Sequence, residues 1–360
     1  MVALILLLFG IAFSTMSHAN DVYERNKPYD IMGIGLSEID IITFVDDDYI
    51  KRQLTVPYAI QKGSLSFVDR ETWTTLKDNL KEYTSTPSGE VASLLFVYAS
   101  LGGKTTFSTV LSDDEYGKQF LNTLDTLGIK VANKPTTLDH EAMTNLVYVT
   151  PDGVTTHVLI NRHGAKISQN DIKYHHIKDY KMIVAEASLW DGMSQSKAMI
   201  RAFKTAERVS TKRVLMLSDP LFSKKYKQDF LDLIGKTDIV LANDQSMLEL
   251  MDTKDFNTML TAISKFNALI VVTRGAQGAV AVRGSEVYYI DASNAESGKI
   301  IDKTGSHAAF SAGFLYGYAH GKSIEESGKL AASAASYIIR QIGRNPQSNL
   351  SKILYEYSNN

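Results

Sequence analysis

Two stretches of this 360-residue chain hold residue types that could do chemistry. The first is Asp302 to Leu315, DKTGSHAAFSAGFL, in which an acid, a threonine and a glycine lead into a helix with small residues on one face. A glycine loop feeding a helix start presents backbone N–H groups and the positive end of the helix dipole. Gly305, Ser306 and His307 are therefore a candidate anion loop that a phosphate would fit. The second is Asp40, an acid inside an otherwise apolar strand. A carboxylate can accept two hydroxyl hydrogen bonds, which makes Asp40 a candidate ligand for a polyol; the alternative is an ordinary strand-end turn residue.

The elements that must position these groups follow from periodicity. YDIMGIGLSEIDIITFVD, from Tyr29, reads as a buried first strand turning through Gly33 and Gly35, with Asp40 ending its second half. A helix is expected from near Asp69, a capping residue with acids in the first turn. LLFVYASLG reads as a buried helix, and Leu111 to Val131 as another, packing Leu121, Leu124 and Leu127 and ending at Gly128. Pro151-Asp152-Gly153 is the turn of a hairpin. Arg162 and His163, just beyond it, look like ligands in isolation, although a surface loop is the commoner home for such a pair. The C-terminal half repeats β-α units: KMIVAEASLWD, KRVLMLSDP, TDIVLANDQSMLELM and ALIVVTRGAQGAVAVRG. Continuous apolar runs spaced by helices indicate a parallel sheet covered on both faces.

Composition sets outer bounds. With 44% hydrophobic and 22% charged residues the chain suits one large globular domain, or one plus a small one. A formal net charge of −2 gives no whole-chain pull toward nucleic acid or an anionic membrane. The absence of cysteine rules out disulfides without deciding the compartment. Val2 to Phe13 is an unbroken apolar run, short of the roughly 20 residues a spanning helix needs. Ser17-His18-Ala19 follows with a small-x-small pattern. Residues 1–19 thus read as a secretory signal, 20–28 as a linker and 29–360 as the folded domain. No basic residue precedes the apolar run, so the alternatives are an uncleaved anchor or a misassigned start, the latter implying a cytoplasmic protein.

Asp302, Thr304, Gly305, Ala309, Phe310, Ala312, Gly313 and Phe314 carry a resemblance to a family. They match the C-terminal signature of the PfkB/ribokinase family of sugar and nucleoside kinases, Asp-Thr-Thr-Gly-Ala-Gly-Asp-Ala-Phe-x-Ala-Gly-Phe. SDPLFSKKYKQDFLDLIGKTDIVLAND, TPDG and RQIGRNPQ resemble bacterial adenosine-kinase-like members, and the likeness runs from Tyr29 to Leu354. It implies an α/β, ribokinase-like, doubly wound, mostly parallel sheet with a small β-sheet lid, the lid segments falling within about 41–68 and 136–160. It also implies site residues. Asp40 matches the Asp that holds sugar hydroxyls. Thr86 to Gly103 resembles the Ser-Gly-Gly-x-x-x-Asn segment, giving Gly89, Glu90 and Ser93 as substrate-binding positions. On the nucleotide side, Asn243 matches Asn-x-x-Glu, and Thr273, Gly275 and Gly278 match Thr-x-Gly-x-x-Gly, whose glycines a tight turn wants equally.

The departures from the pattern fall on chemistry. Ala308 stands where the family has its general base, and His307 replaces a glycine whose bare backbone lets the phosphoryl group approach. Ser93 replaces the substrate Asn, Glu90 a small residue, Ser88 the first Gly and Ser246 the metal-organising Glu. Losing a general base alone costs about 10² to 10⁴ in rate, and phosphoryl transfer depends further on metal and backbone electrostatics. An exported kinase would, besides, lack ATP. The expectation is an exported, periplasmic or secreted, pseudoenzyme with no catalytic residue, metal or cofactor. It would bind a nucleoside or sugar, or a protein partner, or pair with itself through the lid, with no nucleic acid and no membrane contact after signal cleavage. The alternative is an active kinase that uses ATP and Mg²⁺ and has moved its base to His307, an imidazole able to accept a proton near neutral pH. His307 is expected to point away from the slot Ala308 faces, because neighbours on a helix's first turn diverge.

Overall fold

A computed structural model describes residues 27–133, 142–160, 166–293 and 300–352. The expected signal segment, most of the linker, the start of the second lid segment, Arg162 and His163 lie outside the described residues. The N-terminal half supplies β1 (Tyr29–Ile34), β2 (Glu38–Phe44), β3 (Leu65–Val68), β4 (Thr84–Ser88), β5 (Thr105–Ser108), β6 (Lys130–Val131), β7 (Met143–Val149) and β8 (Thr155–Ile160). The C-terminal half supplies β9 (Tyr180–Glu186), β10 (Lys212–Leu217), β11 (Ile239–Asn243), β12 (Leu269–Thr273), β13 (Ala279–Arg283) and β14 (Glu286–Ile290).

These strands form two sheets. Nine run in the order β14-β13-β12-β11-β10-β9-β1-β5-β6, parallel from β12 to β6 with β13 and β14 antiparallel at one edge. The other five, β3-β8-β7-β2-β4, make the lid. The apolar runs account for the large sheet: side chains alternate faces, so strands apolar throughout need cover on both. Ile31 enters one core and Met32 and Ile34 the other; Leu269 and Val271 part from Ile270 and Val272 in the same way.

Helices α1 (Arg70–Asp78), α2 (Glu90–Ser100) and α3 (Glu115–Thr126) cover the first face together with the two last helices of the chain. Helices α4 (Met193–Arg208), α5 (Pro220–Lys225), α6 (Lys227–Ile234), α7 (Asp244–Met251) and α8 (Phe256–Ile263) lie in the second half, and α4 and α6–α8 pack on the second face. Helices α9 (Ser306–Ala319) and α10 (Ile324–Ile338) complete the chain's core. Asp69 caps α1, accepting from the Thr72 N–H at 2.8 Å. Helix α2 is buried almost throughout, and Pro151-Asp152-Gly153 turns β7 into β8, both as the patterns indicate. Among the described residues no helix is long and apolar enough to cross a membrane.

The lid departs in detail from its expected bounds. It includes β4, and residues 47–58 between β2 and β3 are an irregular helix with a π-turn rather than strand. Asp40 sits mid-strand in β2, opposite Thr86 of β4 and Asn145 of β7, not at a strand end. Between the lid and the carboxyl ends of β1, β9 and β10 lies a cavity of about 530 Å³, the place where open α/β sheets take ligands.

Candidate functional site

The anion loop is built by Asp302. Its fully buried carboxylate accepts from the Thr304 N–H at 2.8 Å and the Gly343 N–H at 2.9 Å, pinning the loop to the segment after α10. Gly305 then caps α9 with φ +80°, and a Cβ there would lie 2.9 Å from Arg344 Cγ. Both the left-handed backbone and the close approach call for glycine. Ala308 is 2% exposed in the first turn of α9. The His307 ring turns elsewhere: Nδ1 lies 3.0 Å from the Thr273 hydroxyl, and Nε2 lies 3.7 Å from Glu90 Oε1, too far for a hydrogen bond. Burial pushes the His307 pKa down against the pull of Glu90, favouring the neutral ring. The loop, the Thr273 turn and the start of α2 therefore meet at one imidazole.

Asp40 is fully buried, and both its oxygens are engaged by the protein. Oδ1 accepts from the Ser88 hydroxyl and the Asn145 amide, each at 2.9 Å, and Oδ2 from Arg344 Nε at 2.8 Å. Burial works against the charge of Arg344, but Asp40, Glu38 and Glu90 together more than offset it and hold the guanidinium ionised. The Asn145 amide also donates to His157 Nδ1 at 3.0 Å, while burial, reinforced by Arg344, lowers the His157 pKa to about 4.

Gly89 precedes α2 with φ +116°, and a Cβ on it would fall 2.4 Å from the Leu36 carbonyl. Ser93 lies one turn into α2, fully buried, and does not line the cavity. Glu90 does line it. So does Glu186, at the end of β9, which accepts from the Val91 N–H at 3.0 Å, the Leu36 N–H at 2.8 Å and the Ser188 hydroxyl at 3.0 Å. One carboxylate thus caps α2 and holds the β1–β2 turn. Burial raises the Glu186 pKa to about 7 despite those N–H groups. Burial with Glu186 and Asp40 nearby raises Glu38 to about 8.

The nucleotide-side residues are structural in what they touch. Asn243 caps α7, accepting from the Ser246 N–H at 2.7 Å, and donates to the Ser218 carbonyl. Ser246 is fully buried. Thr273 ends β12, and Gly275 and Gly278, both at positive φ, turn it into β13. A hydroxyl at Ser246 is a poor substitute for a carboxylate in organising Mg²⁺, which favours hard, charged oxygen. Among the described residues no group of three or more His, Cys, Asp or Glu side chains is placed to hold a metal.

The site thus joins Glu90, Asp40 and the α9 loop, while Ser93 and Asn243 face other neighbours. Residues that motif reading left unassigned complete it: Glu38, Asn145, His157, Glu186 and Arg344. The signal for Glu38 was present, since residues i and i+2 of a strand share a face and Glu38 and Asp40 flank Ile39. Glu186 ends an apolar strand of a parallel sheet, the position at which such sheets bind ligands. Arg344 lies in RNPQ, 304 positions from its partner.

Solved structures share this fold. Adenosine kinase from Sinorhizobium meliloti superposes with a TM-score of 0.85 at 28% identity, covering 91% of this chain and 99% of that one. A probable sugar kinase from Rhizobium etli gives 0.86 at 28% identity, covering 92% and 99%. In sequence, a 5-dehydro-2-deoxygluconokinase of Lacticaseibacillus casei is 23% identical over 281 residues, 74% of this chain and 84% of that one. A cytidine kinase of Thermococcus kodakarensis is 28% identical over 144 residues, 39% of this chain; the match spans about half, 51%, of that kinase. The large parallel sheet, the five-stranded lid and the Asp302–Phe314 loop belong to one ribokinase-like fold. With residues 65–350 matching the pfkB family carbohydrate kinase description, this chain belongs to the pfkB family.

Proposed function

We propose that this protein binds a nucleoside or sugar in the cleft under its lid and does not transfer phosphate. The observation that carries this reading is Ala308, a methyl group, 2% exposed, in the first turn of the anion-loop helix where the family signature has its general base. An alanine can neither take nor give a proton. Three further features support the reading. Ser246 cannot organise a metal as a carboxylate does, the His307 ring stands where the signature has a bare glycine, and Asp40 is tied to Arg344 rather than open to hydroxyls.

The leader read at residues 1–19 makes the proposed protein an exported one, periplasmic or secreted. The lid, on which Phe44 is 53% exposed, is the face proposed for a protein partner or a second copy.

The test is the purified chain offered Mg-ATP with adenosine, other nucleosides and sugars, followed for phosphorylated product and, in parallel, for thermal shift. The expected result is stabilisation by a nucleoside or sugar with no product. Robust phosphorylation, lost on mutating the anion loop, overturns the reading.

The second reading keeps activity and places the base at His307, favoured by the nearness of its Nε2 to Glu90 at 3.7 Å. It predicts that His307→Ala abolishes phosphorylation. Equal rates in that variant and the wild type remove it.

A further inference from the structure

The cleft's wall is acidic, and most of its acids are accounted for. Glu186 is bonded to Val91, Leu36 and Ser188. Asp191 is engaged by Lys225 and Tyr226, and Asp219 caps α5 through the Leu221 N–H at 2.8 Å. The cations on the same wall are Lys166, exposed, and Arg344, which is bonded to Asp40. Glu38 and Glu90 remain, both lining the cavity.

A second, independent observation comes from Asn145. Its side chain is 2% exposed and lines the same cavity. Both hydrogens of its amide nitrogen are used, one toward Asp40 Oδ1 at 2.9 Å and one toward His157 Nδ1 at 3.0 Å. That fixes the amide, because reversing it would set an oxygen against the Asp40 carboxylate. Oδ1 is left buried without a hydrogen-bond partner, and so is Glu90 Oε1. A buried polar atom without a partner is costly, so this pair awaits donors from outside the protein.

Acceptors without donors, set among carboxylates, match a specific chemistry. An ammonium carries three N–H donors, no acceptor and one positive charge. A sugar hydroxyl could satisfy Asn145 but leaves the charge of Glu90 unanswered. We propose that the cleft recognises its ligand through a primary ammonium, so that the ligand is an amine-bearing sugar or nucleoside held by Glu90 and Asn145 Oδ1. This rests on the reading of the cleft as a ligand site, and deepens it.

The experiment pairs each amine with its neutral counterpart: glucosamine with glucose, and 3′-amino-3′-deoxyadenosine with adenosine. Binding to the full folded chain is measured by calorimetry and thermal shift at pH 7. The amine of at least one pair is expected to bind at least tenfold more tightly than its neutral partner. Raising the salt from 50 to 200 mM weakens it, and Glu90→Gln, checked for native circular dichroism, reduces the preference at least fivefold. A neutral compound binding as tightly as its amine overturns the inference while leaving the cleft a sugar or nucleoside site. No binding by any of the four overturns it as well. ATP-dependent phosphorylation of adenosine or glucose instead removes the reading on which it rests. If Glu90→Gln does not fold, the salt series on the wild-type chain decides: an amine preference that does not weaken between 50 and 200 mM salt overturns the inference.

Discussion

Arg344 Nε stands 2.8 Å from Asp40 Oδ2, joining the segment after the last helix to the middle of the lid. The side chains are 14% and 0% exposed. Arg344→Met would leave the Asp40 carboxylate buried without its counter-charge, at a cost of about 3–5 kcal/mol. Adding Asp40→Asn should recover much of it, because the uncompensated charge is then gone. Urea denaturation of the three variants checks this; equal stabilities for the single and double variants would contradict it.

Glu186 holds the start of α2 and the β1–β2 turn through two backbone N–H groups. Glu186→Ala orphans both and is expected to cost about 2–4 kcal/mol. Glu186→Gln keeps an acceptor and costs less. The order of the two midpoints in a denaturation series is the readout.

Stability should fall as pH rises from 6.5 to 8. The folded protein holds the Glu38 pKa at about 8 and Glu186 at about 7, both above the ordinary carboxyl value of 4.5, so below about 4.5 their contribution is fully present. As pH rises through the folded values the unfolded chain binds fewer protons than the native one, and the contribution is lost. His157 and His307, both lowered by burial, are still partly protonated in the unfolded chain just above pH 6.5 and oppose the decline in the lower part of that window without reversing it. Thermal melts should show Tm declining across it by several degrees, and Glu38→Gln should flatten the decline.

Gly89→Ala tests the junction of lid and α2. The position has φ +116°, and the new Cβ would meet the Leu36 carbonyl at 2.4 Å. Strained backbone and steric overlap together should cost more than about 2 kcal/mol. A wild-type denaturation midpoint would mean that the turn yields.

Ala308→Asp returns a carboxylate to the signature without restoring the rest. Asp40 stays bound to Arg344, and Ser246 still offers a hydroxyl where a carboxylate organises the metal. The variant is expected to show no phosphorylation above background with Mg-ATP and adenosine, and to lose about 1–3 kcal/mol from placing a polar group at a site 2% exposed. Product formed by the single variant would place the whole deficit at Ala308.

The sequence by itself determined the frame. Apolar runs such as LIVVT must be covered on both faces, Asp69 must cap a helix, and Gly305 must turn into one, because each outcome depends on residues a few positions apart. It also displayed an alanine at 308 where the family signature has an acid, a difference legible whatever surrounds it. Only the tertiary structure decided what the remaining acids do. Asp40, a candidate ligand or turn residue by sequence, is bonded to Ser88, Asn145 and Arg344; Glu186, which no motif singled out, caps a helix 95 positions away. The reason is physical: a carboxylate's role is set by whichever donors fill its few lone pairs, and in a buried site those donors come from distant segments that only folding brings within 3 Å.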